Sequence, residues 1–270
     1  MSTTLDNSSA QVHQQPAGTG GGGGAADVEM TNAAPVPRLD PSPWDIFSEA
    51  KAHLDIQWER REALIKKSRE ITRESKKTIV SLQRFNSSQR YREIKFATAA
   101  RNKVQKMFTE ISSVLHSPPE FHKFARDIRP GIQEFLESAS FLHYFESGTL
   151  LSFEQAADLM RPTGLVLTPE DYLFGVLDLG GELMRYATTS ATKRELQVVT
   201  AACRFLQRYF HETLAVSPCN EYREFVKKRE VLEQSVFKVE QLCYHLTVQG
   251  DEYLSLDSVG AGEGHGGGDM

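Results

Sequence analysis

Four carboxylates in this chain stand at spacings that could do chemistry. Glu134 and Glu137 are three residues apart, and Asp178 and Glu182 are four apart. On a helix either spacing puts both acids of a pair on one face. Their surroundings are apolar, with Phe135, Leu136 and Phe141 around the first pair and Leu177, Leu179 and Leu183 around the second. A buried carboxylate without a partner is costly, so such groups find a cation, bind a metal or face water. If the two helices pack face to face, the four acids converge and repel, and a divalent cation or shifted pKa values would let them coexist. Oxygen-only ligands favour Mg²⁺ or Mn²⁺. Such an ion could activate a water and stabilise charge developing on a phosphodiester. The alternative is that each pair belongs to an ordinary solvated or salt-bridged helix face.

The second pair lies in the stretch Asp171 to Arg185, which also carries Gly175, Gly180 and Gly181. Each glycine costs a helix interior about 1 kcal/mol relative to alanine, and close approach of another backbone would account for them. Other chemistry finds little support. His122, His143, His211 and His245 are scattered without an H-E-x-x-H spacing, Gly180-Gly181 lacks a phosphate-loop context, and no serine sits in a G-x-S-x-G elbow. Cys203, Cys219 and Cys243 are odd in number and form no C-x-x-C pair, which fits reduced thiols better than a disulfide framework or a zinc site.

The elements that must position the acids read as helices throughout. Ser42-Pro43-Trp44-Asp45 is a helix start. Phe47, Leu54, Trp58, Leu64, Ile71, Ile79 and Leu82 then recur at helical spacing, predicting one amphipathic helix of about 40 residues and roughly 60 Å. Asn86-Ser87-Ser88 breaks it, and a second helix runs from about Gln89 to His116. A third covers about Glu120 to Glu146, with a kink or break expected near Arg129 because Pro130 removes a backbone hydrogen bond. Ser152 and Gln155 form a capping-box pattern for a short helix to about Met160, and Thr168-Pro169 starts the helix of the second acidic pair. After Thr188-Thr189-Ser190 a helix is expected from about Lys193 to Leu214. Ser217-Pro218 ends it, and a last one follows from about Asn220 to Val248. No strand-like alternation is present, so the expected fold is all-α, an elongated antiparallel helical bundle with disordered termini.

Composition sets the outer limits. Residues 1–40 and 256–270 are polar and glycine-rich, including an unbroken Gly20–Gly24 run, and cannot bury enough apolar surface to offset the entropy of ordering them. A single helical domain is therefore expected over 41–255. Neither a membrane span nor a secretory signal is visible, so a soluble intracellular protein with no membrane partner is expected. The net charge of −5 is unevenly spread: Lys51 to Phe108 holds 16 Lys and Arg against 6 Asp and Glu, a local balance of +10, which leaves −15 for the remainder. Within it, Lys66-Lys67-Ser68-Arg69 and Lys76-Lys77 could touch phosphates, act as a nuclear import signal or merely solvate a helix.

Two long segments carry a family resemblance. Lys67-Ser68-Arg69-Glu70-Ile71-Thr72-Arg73-Glu74-Ser75-Lys76-Lys77-Thr78-Ile79 and Asp171 through Arg185 resemble the translin family, and the likeness extends from about Trp44 to Gly250, including Lys238-Val239-Glu240 and Cys243-Tyr244. The resemblance implies an elongated helical bundle that assembles with translin into a hollow hetero-oligomer, an octameric barrel, binding single-stranded RNA and also single-stranded DNA. It further implies a Mg²⁺-dependent endoribonuclease, with Mn²⁺ as an alternative ion, whose catalytic acids fall on Glu134, Glu137, Asp178 and Glu182, the last three as metal ligands. Translin itself has an apolar residue where Asp178 stands, so these acids point to the catalytic branch. The implied setting is RNA silencing, by passenger-strand removal, or transfer-RNA fragment processing, in cytoplasm and nucleus. The competing expectation is a non-catalytic subunit that binds nucleic acid through its basic helices and stabilises its partner.

Overall fold

Helix starts fall where the capping chemistry places them. Ser152 accepts from the Gln155 backbone N–H while its own N–H donates to the Gln155 side chain, and Thr168 accepts from the Asp171 N–H while donating to the Asp171 carboxylate. Each satisfies donors that the first helical turn leaves without partners. The fold comes from a computed structural model that describes residues 42–84, 89–115, 117–216 and 222–260. These form α1 (Pro43–Gln83), α2 (Arg90–Val114), α3 (Pro118–Ser147), α4 (Phe153–Met160) with a 3-10 turn over Arg161–Thr163, α5 (Pro169–Thr192), α6 (Leu196–Leu214) and α7 (Arg223–Gly260). No strand occurs among the described residues, so the fold is all-α. No helix there is long and apolar enough to cross a membrane.

The chain divides into two units, Met1–Ser48 and Glu49–Met270. In the first, Ser42 and Asp45 exchange the expected capping bonds at the start of α1. The polar segment 1–40, the Asn86–Ser88 break, the Ser217-Pro218 interruption, Cys219 and residues 261–270 lie outside the described residues. α7 runs to Gly260, beyond the expected helix end at Val248.

In the second unit, sequence-adjacent long helices pair in opposite directions. Glu110 and Lys103 of α2 meet Lys67 and Glu74 of α1 in reverse order, and α6 and α7 do the same through Thr200–Cys243 and Gln207–Glu240. α3 and α5 run the same way instead. Arg129 meets Asp171, Leu136 meets Gly175, and Phe145 meets Tyr186. The segment 148–168, which contains α4, therefore returns along α3 by roughly 27 Å, the length of eighteen helical residues. α1 also runs parallel to α3, through Arg61–Asp127 and Lys76–Glu134.

Two apolar clusters hold these helices. One gathers Leu64, Ile71, Phe108, Ile128, Phe135 and Leu136 from α1, α2 and α3. The other gathers Phe141, Leu183, Leu206, Phe225 and Val236 from α3, α5, α6 and α7. The acids sit where α3 and α5 pass between them.

α1 is the single helix expected, 41 residues long, α3 continues through its proline, and the end of α5 needs correction. The apolar stripe of α1 is buried only from Leu64 onward, since Phe47, Leu54 and Trp58 remain 71%, 66% and 60% exposed. α5 does not stop at Thr188-Thr189-Ser190. Both threonine hydroxyls donate to carbonyls one turn back, on Met184 and Arg185, which suits a helix interior. The turn comes later, at Arg194, whose φ is 57°. Finally, Pro130 does not end α3, which is unbroken from Pro118 to Ser147. The reason lies on α1. The Ser68 hydroxyl accepts from the Gly131 N–H at 3.3 Å and donates to the Ile128 carbonyl at 3.3 Å, so the N–H that follows the proline finds a partner. Gly131 permits this approach, because a Cβ there would lie 3.0 Å from Ser68 Oγ and 3.2 Å from its carbonyl oxygen.

Candidate active site

The parallel register of α3 and α5 brings both acidic pairs to one place. Glu134 and Glu137 from α3 and Asp178 and Glu182 from α5 line an open cleft of about 640 Å³, closed on one side by Lys76, Ile79 and Gln83 of α1. Apolar neighbours at intervening positions fix the orientation: Phe135, Leu136, Leu179 and Leu183 are fully buried, so each helix turns its acids toward the gap. Glu137 and Glu182 are themselves 8% exposed.

The three glycines nearby have three different explanations. A Cβ on Gly175 would lie 2.7 Å from the Leu136 Cβ and 3.0 Å from the Gln133 carbonyl, so this glycine lets α3 and α5 touch. Gly180 makes room for the Leu232 side chain of α7. Gly181 meets nothing within 4 Å and faces the cleft between Asp178 and Glu182. The expected close backbone approach thus holds for Gly175 alone.

Three of the acids have cations of their own. Lys228 Nζ donates to Asp178 Oδ2 at 2.5 Å, Arg185 Nη1 to Glu182 Oε1 at 2.6 Å, and Lys76 Nζ lies 3.6 Å from Glu134 Oε2. Gln83 Nε2 adds two bonds to Glu182, to its carboxylate at 2.6 Å and to its carbonyl at 2.8 Å. The Glu137 carboxyl forms neither a hydrogen bond nor an ion pair among the described residues. Burial first, then the charges of Asp178, Glu134 and Glu182, push its carboxyl up to about 8 against the opposing pull of Lys228. Glu134 is raised too, mainly by burial, with Lys76 opposing and Asp178 and Glu182 adding to the rise.

The donor set is all oxygen, which suits a hard divalent cation. Glu137 is the acid such an ion would serve best: a nearly buried carboxyl, facing three others, with no cation bonded to it. Glu137, Asp178 and Glu182 could hold the ion, with Glu134 beside them. Among the described residues no three His, Cys, Asp or Glu side chains already stand close enough together to form a metal-binding group. The scattered histidines do not converge; the His143 ring lies 3.1 Å from the Thr149 hydroxyl and its pKa is lowered by burial. Cys203 is buried, and burial followed by the neighbouring Cys243 pushes its thiol up to about 11, which keeps it protonated.

Gln83, Lys228 and Arg185 are site residues that the sequence did not single out. Arg185 had a signal, lying three residues beyond Glu182. Gln83 closes an otherwise apolar stripe, a weaker one. Lys228 had none, since it reaches the site from α7, 50 residues away.

Comparison with known proteins agrees with this architecture. The profile described as the translin family matches residues 59–250. Translin-associated protein X of Mus musculus is 32% identical over 231 residues, covering 76% of this chain and 79% of that one. Among solved structures, apo-NeC3PO superposes with a TM-score of 0.61 at 17% identity, covering 79% of this chain and all of that one. AfC3PO in complex with duplex RNA gives a TM-score of 0.54 at 16% identity, covering 75% and 97%.

Proposed function

The chain belongs to the translin family, and we propose that it is the endoribonuclease subunit of a hetero-oligomer with translin, cleaving single-stranded RNA with Mg²⁺ or Mn²⁺. The observation that carries this reading is Glu137, nearly buried and unpaired among three other carboxylates on an open cleft. A nearly buried carboxyl facing three others across one cleft is what a divalent cation would draw together. The RNA-bound state of a structural relative supports RNA as the ligand class. The name of the murine relative supports translin as the partner. Exposed Leu54, Ile56 and Trp58 on α1 give a partner apolar surface to cover.

In this reading Glu137, Asp178 and Glu182 hold the ion, which supplies Lewis acidity to a phosphodiester and an activated water. Gln83 fixes the Glu182 carboxylate from α1, so the position of one ligand depends on a third helix. Lys76 and Arg185, both well exposed at the cleft mouth, are placed to attract the RNA backbone. Gly181, with no side chain, leaves the floor between Asp178 and Glu182 open to substrate. The test is Asp178→Asn assembled with translin: assembly intact and cleavage of single-stranded RNA abolished is expected, and undiminished cleavage would overturn the proposal.

A second reading draws on the same geometry. Because Glu134, Asp178 and Glu182 each have a protein cation, the acids could serve as internal ion pairs in a non-catalytic subunit that binds nucleic acid through α1. Retained function after neutralising the acids, with loss on reversing Lys66, Lys67 and Arg69, would favour it.

A further inference from the structure

We infer that Lys228 is a resident counter-ion of the acid cluster, and that a divalent cation entering the cleft must share Asp178 with it. The inference rests on the metal-dependent reading above and deepens it. Of the three cations paired with the acids, Lys76 and Arg185 have side chains 63% and 67% exposed, so either can swing into water at little cost. The Lys228 side chain is only 18% exposed. It is held at two points, donating to Asp178 Oδ2 at 2.5 Å and to the Phe174 carbonyl at 3.3 Å. Its helix is anchored on either side by Phe225 and Leu232, both fully buried. Lys228 therefore stays when an ion arrives.

Its position sets the consequence. Lys228 bonds to one of the acids needed by the ion, and its charge also acts on Glu137. A fixed positive charge beside a cation site repels the incoming ion, and a few ångströms of partly buried protein screen that repulsion less than water does. Lys228 makes the acid cluster tolerable without an ion and, by the same charge, keeps its affinity for the divalent cation low.

The test is Mn²⁺ binding, followed by the electron paramagnetic resonance signal of the free ion, to the full chain assembled with translin. Lys228→Gln and Lys228→Met are expected to bind Mn²⁺ at least about tenfold more tightly than the native chain, whereas Lys228→Arg binds as the native chain does. Should the methionine variant fail to assemble, the glutamine variant, which keeps an N–H donor near Asp178, carries the same expectation. Equal or weaker Mn²⁺ binding by the neutral variants, with the native complex binding normally, overturns the inference and leaves the metal reading standing. Absence of Mn²⁺ binding in the native complex and all variants overturns the metal reading, and this inference with it.

Discussion

The side-chain amide of Gln83, at the last position of α1, holds Glu182 of α5 at two points, 2.6 Å from its carboxylate and 2.8 Å from its carbonyl oxygen. One amide thus fixes both the backbone and the functional group of an acid facing the cleft. A hydrogen bond to a charged group contributes about 1.5 to 3 kcal/mol. Gln83→Leu is expected to lower stability by about 2 kcal/mol and to reduce RNA cleavage and Mn²⁺ affinity together. Thermal unfolding and a cleavage assay on the assembled complex check this. Native cleavage by a destabilised variant would show that Gln83 serves the fold alone.

Ser68 gives a second expectation. Its buried hydroxyl bridges the Gly131 N–H and the Ile128 carbonyl beside Pro130. Ser68→Ala leaves both without that partner and is expected to cost about 1 to 3 kcal/mol. In a Pro130→Ala background the cost should shrink in part, because the Gly131 N–H of a regular helix can return to the Asp127 carbonyl. The coupling between the two changes, measured by denaturant unfolding, tests the arrangement.

The glycines should separate by sign. Gly175→Ala would press a Cβ against the Leu136 Cβ at 2.7 Å and the Gln133 carbonyl at 3.0 Å, neither of which can move without shifting α3. A loss of about 2 to 3 kcal/mol is expected. Gly180→Ala meets the end of the Leu232 side chain, which can rotate within its core, so a smaller loss follows. Gly181→Ala meets nothing and should gain about 0.5 to 1 kcal/mol from helix propensity. If Gly181→Ala also weakens RNA cleavage, the open floor is used by substrate.

Glu137 makes stability depend on pH. Its carboxyl is raised from 4.5 to about 8 in the folded chain. Between these values the folded state holds a proton that the unfolded state has released, so the stability contributed is fully present below about 4.5 and is lost as pH rises toward 8. With divalent cations chelated, Tm should therefore fall across this window, and Glu137→Gln should flatten that fall. A Tm slope identical in the two proteins would exclude Glu137 as its source.

Local chemistry was legible in the sequence. The Ser152–Gln155 box, the Thr168 cap and the helical spacing of the acid pairs depend on residues three or four positions apart, and short-range backbone preferences decide them. The same reasoning misjudged the Thr188-Thr189-Ser190 segment, because its threonines bond to carbonyls one turn back, which composition does not reveal. What brings Glu134 and Glu137 to Asp178 and Glu182 is the parallel course of α3 and α5, set by the return of the 148–168 segment and by the contact of Gly175 with Leu136. Lys228 and Gln83 arrive from helices distant in sequence, placed by the burial of Phe225, Leu232 and Leu82. The sequence by itself therefore determined which residues share a helix face. Only the packing of four helices decided which faces meet, because hydrophobic burial is non-directional and fixes partners only once the whole core is assembled.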